Sequence, residues 1–204
     1  MAKRESTFFN MVTTLFAVTF IAAAALGFVH DLTKEAIEMA KMKAQSEAIE
    51  KVLPVFEELG ESFKVASAAG DSLEFFPAYS RGELVGVAVK TFTNKGFSGF
   101  ISVMAGIDTE GNLFGYEVLE HAETPGLGSK MGVWFSNSEK PNQSVIGKNP
   151  RSHKLEVTKD GGEIDAITAS TITSRAFLDA LNRAFEAYYN TNQNQQLKTK
   201  KTTL

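Results

Sequence analysis

The sequence predicts an α+β protein: one N-terminal transmembrane helix, then a domain with a mostly antiparallel sheet and flanking helices. Three observations predict it. The chain opens on an apolar run with no charged residue from Ser6 to Val29. Its middle carries short apolar runs, one strictly alternating at Val85, Val87 and Val89, separated by Gly, Asn and Asp, which is the pattern of strands joined by turns. Near its end Phe177, Leu181, Phe185 and Tyr188 recur at the spacing of one helix face. Helices at the ends of a run of strands point to α+β rather than to alternating βα units.

These signals divide the chain into residues 1–7, a cytoplasmic N-terminus; 8–29, a transmembrane helix; 30–54, a stalk or first helix; 55–189, an extracytoplasmic domain; and 190–204, a polar, disordered tail. In the first helix, residues 11–29 are almost wholly apolar, and about 20 residues at 1.5 Å each cross a bilayer core of about 30 Å. Lys3 and Arg4 precede this run, while Asp31, Lys34, Glu35 and Glu38 follow it in mixed sign. The positive-inside rule then keeps the N-terminus in the cytoplasm, with the bulk of the protein on the other side of the cytoplasmic (inner) membrane. Ala22, Ala23, Ala24 and Ala25 offer small residues to a signal peptidase, but Phe28 and Val29 prolong the run past them. We therefore read a retained anchor in the lipid bilayer over a cleaved leader, and either reading exports the domain.

Residues 31–53 read as a helix, with Ala36, Met39, Ala40, Ile49, Val52 and Leu53 at helical spacing and Pro54 ending it. Residues 55–80 are mixed, with a short strand expected at 73–76, and the alternating valines mark the next strand. Residues 94–99 form a glycine-punctuated loop. Runs at 100–107 and 113–119 read as two strands joined by Asp108-Thr109-Glu110-Gly111-Asn112, a hairpin signal. Short strands are expected at 155–157 and 164–167, then a helix over 173–189. From Asn190 the chain is rich in Asn, Gln, Thr and Lys and lacks core residues, which is the basis for a disordered tail.

Composition narrows the chemistry. The 204 residues are 43% hydrophobic and 22% charged, enough for one globular body with a core. A formal charge of −3 and the lack of a basic stripe argue against nucleic acid. Cysteine is absent, so disulfides, thiolate-held iron–sulfur clusters, a thiol nucleophile and an acylated lipoprotein cysteine are excluded. The three histidines, His30, His121 and His153, lie far apart, and no metal site is expected.

Two segments carry candidate chemistry. In residues 165–174, Asp165-Ala166-Ile167-Thr168-Ala169-Ser170-Thr171-Ile172-Thr173-Ser174, hydroxyls cluster on small residues before an amphipathic helix. Such a cluster serves as an N-cap, or it receives a phosphate, because a helix N-terminus presents unpaired N–H groups and positive partial charge. In residues 121–128, His121-Ala122-Glu123-Thr124-Pro125-Gly126-Leu127-Gly128, the Pro-Gly pair favours a turn. Gly126 and Gly128 also let backbone approach a flat ligand without a Cβ clash. His121 reads as a loop histidine. Trp134 suits the core or a ligand wall equally, and Phe97 is a third, weaker candidate.

The exported domain, the loop at 123–128 and the segment at 165–174 together resemble the RnfG/NqrC family of flavoprotein subunits, with the length closer to RnfG. The resemblance covers the chain from the anchor to about Tyr189 and is especially close over residues 96–128. It implies an FMN-binding domain with covalent FMN, attached through its phosphate to a threonine in a motif Asp-x-x-Ser/Thr-Gly-Ala-Thr. The matching residues are Asp165, Thr168, Ala169, Ser170 and Thr171, so Thr171 is the implied acceptor. Ala169 stands where the motif has glycine and Ser170 where it has alanine. Glu123, Thr124, Gly126, Leu127 and Gly128 would lie along the flavin, with Thr168 and Ser170 beside its phosphate. Asp165, Thr168 and Thr171 would be recognised by an exported flavin transferase that uses FAD as donor. The implied role is electron carrier in a membrane complex of the Rnf type, coupling ferredoxin–NAD oxidoreduction to ion pumping with other membrane subunits. An NqrC-like subunit of a sodium-translocating quinone reductase, or an anchored non-redox binding or assembly module, are the alternatives.

Overall fold

The computed structural model describes residues 7–67, 70–140 and 142–202, the last without side chains beyond residue 191. Lys3 and Arg4 lie outside the described residues. Helix α1 spans Phe8–Val52. Where the sequence leaves open whether the stalk continues the membrane helix, α1 is a single helix of 45 residues. No Pro or paired Gly interrupts it before Pro54, so nothing local ends it.

Within residues 1–44, α1 is long and apolar enough to cross a membrane, with a stretch of mean hydropathy 2.2. Phe8, Phe9, Leu15, Phe16, Phe20 and Leu26 are exposed along it. The hydroxyls in this stretch are satisfied internally. Thr13 donates to the Phe9 carbonyl at 2.9 Å, Thr14 to Asn10 at 2.7 Å and Thr19 to Leu15 at 2.9 Å. Such back-bonding conceals a polar group from an apolar surrounding.

Residues 45–204 form the second compact unit. It is built on strands β1 (Glu58–Leu59), β2 (Phe63–Ala66), β3 (Ser72–Ser80), β4 (Glu83–Gly96), β5 (Gly99–Asp108) and β6 (Leu113–His121). The sheet order is β1-β3-β4-β5-β6, with β2 also paired to β3, and every strand pairing is antiparallel. The strand expected at 73–76 is therefore the centre of a longer β3. Residues 94–99 are not an open loop: β4 and β5 pair as far as Gly96 and Gly99, leaving Phe97 and Ser98 at the turn. The β5–β6 turn is held by Asp108, whose carboxylate accepts the N–H groups of Glu110 at 2.9 Å and Asn112 at 2.8 Å. That side-chain turn is why the hairpin is legible in the sequence.

Alternation along the strands gives the sheet two buried faces. Leu73, Phe75, Val87, Val89, Ile101, Val103, Ala105 and Ile107 face the C-terminal helix α3, Thr171–Thr202. Phe76, Ala78, Ala88 and Met104 face the last turns of α1, where Ala48, Ile49, Val52 and Leu53 are buried. Gly106 permits this second contact. A Cβ there would stand 1.7 Å from the Val52 carbonyl oxygen.

Between β6 and α3 lie a 3-10 turn at Gly128–Lys130, the short helix α2 (Met131–Trp134) and a second 3-10 turn at Thr158–Asp160. The strands expected at 155–157 and 164–167 do not form. One isolated parallel bridge joins Val157 to Ile164, and Leu155, Val157, Ile164 and Ile167 are buried as core side chains. Their apolar run reflects burial under α3, which a short strand and a buried coil share. Helix α3 continues past Tyr189 to Thr202. It begins two residues before the expected Thr173. The C-terminal segment holds no Pro or Gly, so a helix nucleated by the packed face of Phe177, Leu181 and Phe185 propagates through it.

Candidate functional site

The hydroxyl segment sits at the N-terminus of α3, and a dense local network shapes it. Ser170 N–H donates to the Ile167 carbonyl at 3.0 Å, closing a turn over Thr168 and Ala169. Ala169 occupies φ +61°, a left-handed conformation that glycine adopts without strain. The position where Ala169 replaces the motif's glycine is thus one that backbone geometry assigns to glycine. Ser174 ties the turn to the helix: its Oγ accepts the Ile167 N–H at 2.9 Å and donates to the Ser170 carbonyl at 2.9 Å. Asp165 is half-buried. Its N–H donates to the Asn142 carbonyl at 2.6 Å and its carbonyl accepts Trp134 Nε1 at 2.9 Å. Trp134 therefore braces the segment from behind.

Thr171 is the first residue of α3 and is half-buried on a cleft of about 340 Å³. Among the described residues its hydroxyl makes no hydrogen bond within the protein. The first N–H groups of a helix have no intrahelical acceptor, so unpaired donors lie in the same turn as this hydroxyl. Ser170 is buried to 8% exposure and Thr168 is exposed outside the cleft lining. Of the three hydroxyls, that of Thr171 combines access with an opening onto the cavity.

The remaining walls come from two other loops. Phe97, 68% exposed at the β4–β5 turn, Leu127 and Ile172, 50% exposed, present apolar surface, and Thr124 and Gly128 add polar and backbone contacts. Glu123 reaches into the cleft floor at 5% exposure. Its Oε1 accepts the Ser98 N–H at 3.0 Å and its Oε2 accepts the Thr173 hydroxyl at 2.6 Å. His121 Nδ1 accepts the Glu123 N–H at 3.1 Å, so this histidine orients the loop.

The two glycines of the loop differ in role. Gly126 carries the turn at φ +75° and stands outside the cleft lining. Gly128 is buried, and a Cβ there would lie 2.6 Å from Glu123 Oε2 and 2.8 Å from Thr173 Oγ1. Of the residues read from the sequence, the structure gathers Phe97, Glu123, Thr124, Leu127, Gly128, Ser170 and Thr171 at one cleft, and leaves Gly126, Asp165 and Thr168 at its margins. Ile172 and Thr173 also line the cleft, and Ser98 bonds Glu123 at its floor. The first two follow Thr171 directly, and a first-turn position was the available signal.

A larger cavity of about 520 Å³ runs along the flank of α3, between Lys95, Glu156 and Asn182. Its charges are paired, Arg175 with Asp160 at 2.6 Å and Lys95 with Asp179 at 2.6 Å. The hydrogen bond from Arg175 holds the Asp160 carboxyl below the usual range. The larger cavity contains neither the loop at 123–128 nor Thr171, which makes the smaller cleft the candidate site.

A hydroxyl at a helix N-terminus in a cleft lined by apolar side chains and backbone polar groups suits a ligand with a phosphate and a flat aromatic system. The cleft lies in an antiparallel-sheet domain, on a chain whose first helix is long and apolar enough to cross a membrane. Residues 96–186 match the FMN-binding domain family. Over 197 residues the chain is 34% identical to the G subunit of the Na(+)-translocating ferredoxin:NAD(+) oxidoreductase complex of Acetobacterium woodii, covering 89% of this chain and 92% of that one. It is 32% identical over 180 residues to the G subunit of the ion-translocating oxidoreductase complex of Vibrio vulnificus, covering 81% and 82%. A stretch of 127 residues is 38% identical to the corresponding protein of Shewanella loihica, covering 59% and 58%. The chain belongs to the G-subunit family of ion-translocating oxidoreductase complexes.

Proposed function

We propose that this chain is the electron-carrying subunit of an ion-translocating ferredoxin–NAD oxidoreductase, holding one FMN covalently through its phosphate on Thr171. Residues 8–29 anchor it in the cytoplasmic membrane, and the domain from residue 45 onward stands on the outer side beside the other subunits. The observation that carries this reading is the Thr171 hydroxyl, unengaged among the described residues, at the first turn of α3 and open to a cleft walled by Phe97, Leu127 and Ile172.

The residues divide the work. The Thr171 oxygen forms the ester bond to phosphorus and loses its proton, while a flavin transferase using FAD breaks the donor's pyrophosphate bond and releases AMP. The first-turn N–H groups of α3 would stabilise the negative charge that the diester keeps. Phe97, Leu127 and Ile172 would hold the flavin ring and shield it from water, and Thr124 would offer it a polar contact. The bound flavin supplies reversible electron transfer, and the protein supplies attachment, orientation and electrostatics. Covalent attachment retains a cofactor that cannot be replaced outside the cytoplasm.

Denaturing electrophoresis with flavin fluorescence, together with intact mass, tests this on full-length protein made with its transferase. Wild type gives a fluorescent band and a mass increase of one FMN less water, and Thr171→Ala loses both. A signal surviving in Thr171→Ala moves the acceptor to Ser170 or Thr168. A dark band at the unmodified mass overturns the carrier reading and leaves an anchored binding module.

A further inference from the structure

Glu123 is the one carboxylate lining the cleft among the described residues, and its environment is unusual for a charged group. It is 5% exposed, and among the described residues it pairs with no cation. Its two oxygens are held by one backbone N–H, from Ser98, and one hydroxyl, from Thr173. Backbone wraps it closely, since a Cβ on Gly96 would stand 2.6 Å from Oε1 and one on Gly128 2.6 Å from Oε2. These partners belong to the three segments that make the cleft: the β4–β5 turn, the loop after β6 and the first turn of α3.

We propose that Glu123 is a positioning residue that joins these segments and holds the reduction potential of the bound flavin low. The inference rests on the flavin reading of the cleft. A buried charge without a counter-ion acts through a weakly screened medium, so its field reaches a ligand on the same wall. A flavin held in this cleft would gain negative charge on reduction, and a carboxylate lining the same cleft would oppose that gain. The Thr173 hydroxyl moderates the effect, because a hydrogen bond to the carboxylate draws charge toward itself. An exposed glutamate at the rim would be screened by water and salt and would tune nothing.

The two contacts yield opposite signs, which separates charge from mechanical support. The measurement is the midpoint potential of the flavinylated full-length protein in detergent, for wild type, Glu123→Gln and Thr173→Ala, with covalent flavin confirmed in each by fluorescence and mass. Glu123→Gln keeps the shape and removes the charge, so the potential rises. Thr173→Ala leaves the charge and removes its donor, so the potential falls. Shifts of the same sign in both variants, or none in Glu123→Gln, reduce Glu123 to a structural brace and overturn the proposal. Where Glu123→Gln fails to fold by circular dichroism, Thr173→Ala decides alone: an unchanged or raised potential overturns it. A wild type that carries no flavin removes the flavin reading itself, and this inference falls with it.

Discussion

On the α3 side of the sheet, Phe75, Phe135, Phe177 and Phe185 are fully buried and fill the space with ring volume. On the side met by the end of α1, the sheet presents Ala78, Ala88 and Gly106, and the helix descends onto backbone. The first face keeps its layers apart with side chains. The second, which also carries Phe76 and Met104, brings them together at Gly106 by leaving one side chain out. Close packing makes each face sensitive in its own direction, the filled one to lost volume and the bare one to added volume. The difference has a functional side. The filled face holds α3 firmly enough to present an ordered first turn, where Thr171 and Thr173 lie, while the bare face receives the helix that leads from the apolar segment.

Loss of volume on the filled face is the largest effect expected. Phe177 stacks on Phe135 with ring centroids 4.6 Å apart and meets Tyr116 edge-on at 4.8 Å. Phe177→Ala lowers the unfolding free energy by about 3–5 kcal/mol in chemical denaturation. The contrast between faces breaks if this loss is no larger than that of a surface substitution. Added volume on the bare face comes next. Gly106→Ala forces the Val52 carbonyl away and costs about 3 kcal/mol, the upper end of overpacking penalties, with the same denaturation measurement. A neutral result would mean that the end of α1 lifts from the sheet without resistance.

A pH experiment sharpens the picture of the filled face. Burial pushes the Tyr116 phenol up to about 12, and its hydroxyl donates to the Met131 carbonyl at 2.8 Å. The folded state therefore keeps the proton above pH 10 while the unfolded chain releases it. Stability is fully present below about pH 10 and declines by about 2 kcal/mol as pH rises toward 12. The decline is absent in Tyr116→Phe, and equal slopes in the two proteins would refute the assignment. The smallest effect lies at the site itself. Ala169→Gly relieves a left-handed alanine at φ +61° and adds chain entropy to the unfolded state, for a net gain of up to about 1 kcal/mol in thermal or chemical unfolding.

The elements legible in the sequence were those coded by neighbours along the chain. The β5–β6 hairpin follows from Asp108, whose carboxylate folds the turn, and the α3 face from the spacing of Phe177, Leu181 and Phe185. The apolar run of α1 and the hydroxyl motif ending at Thr171 are local too, and each lies in the helix or helix start expected of it. Residues 155–157 and 164–167 misled because a buried coil and a short strand carry the same apolar composition, and only partners elsewhere in the fold distinguish them. The extent of α3 past Tyr189 is not legible from composition, because a helix can propagate from a nucleus that lies upstream.

Local order along the chain thus determined the apolar first helix, the antiparallel meander and the position of the candidate acceptor, since turn chemistry and hydrophobic period act over a few residues. Tertiary structure decided what surrounds that acceptor. Glu123 meets Ser98 across 25 residues and Thr173 across 50, and no periodicity spans such separations. The cleft walls likewise come from Phe97, Leu127 and Ile172, which become neighbours only when the sheet and α3 pack. A sequence specifies such contacts through the whole fold, because burying the two faces of the sheet is what brings these loops to one end of the helix.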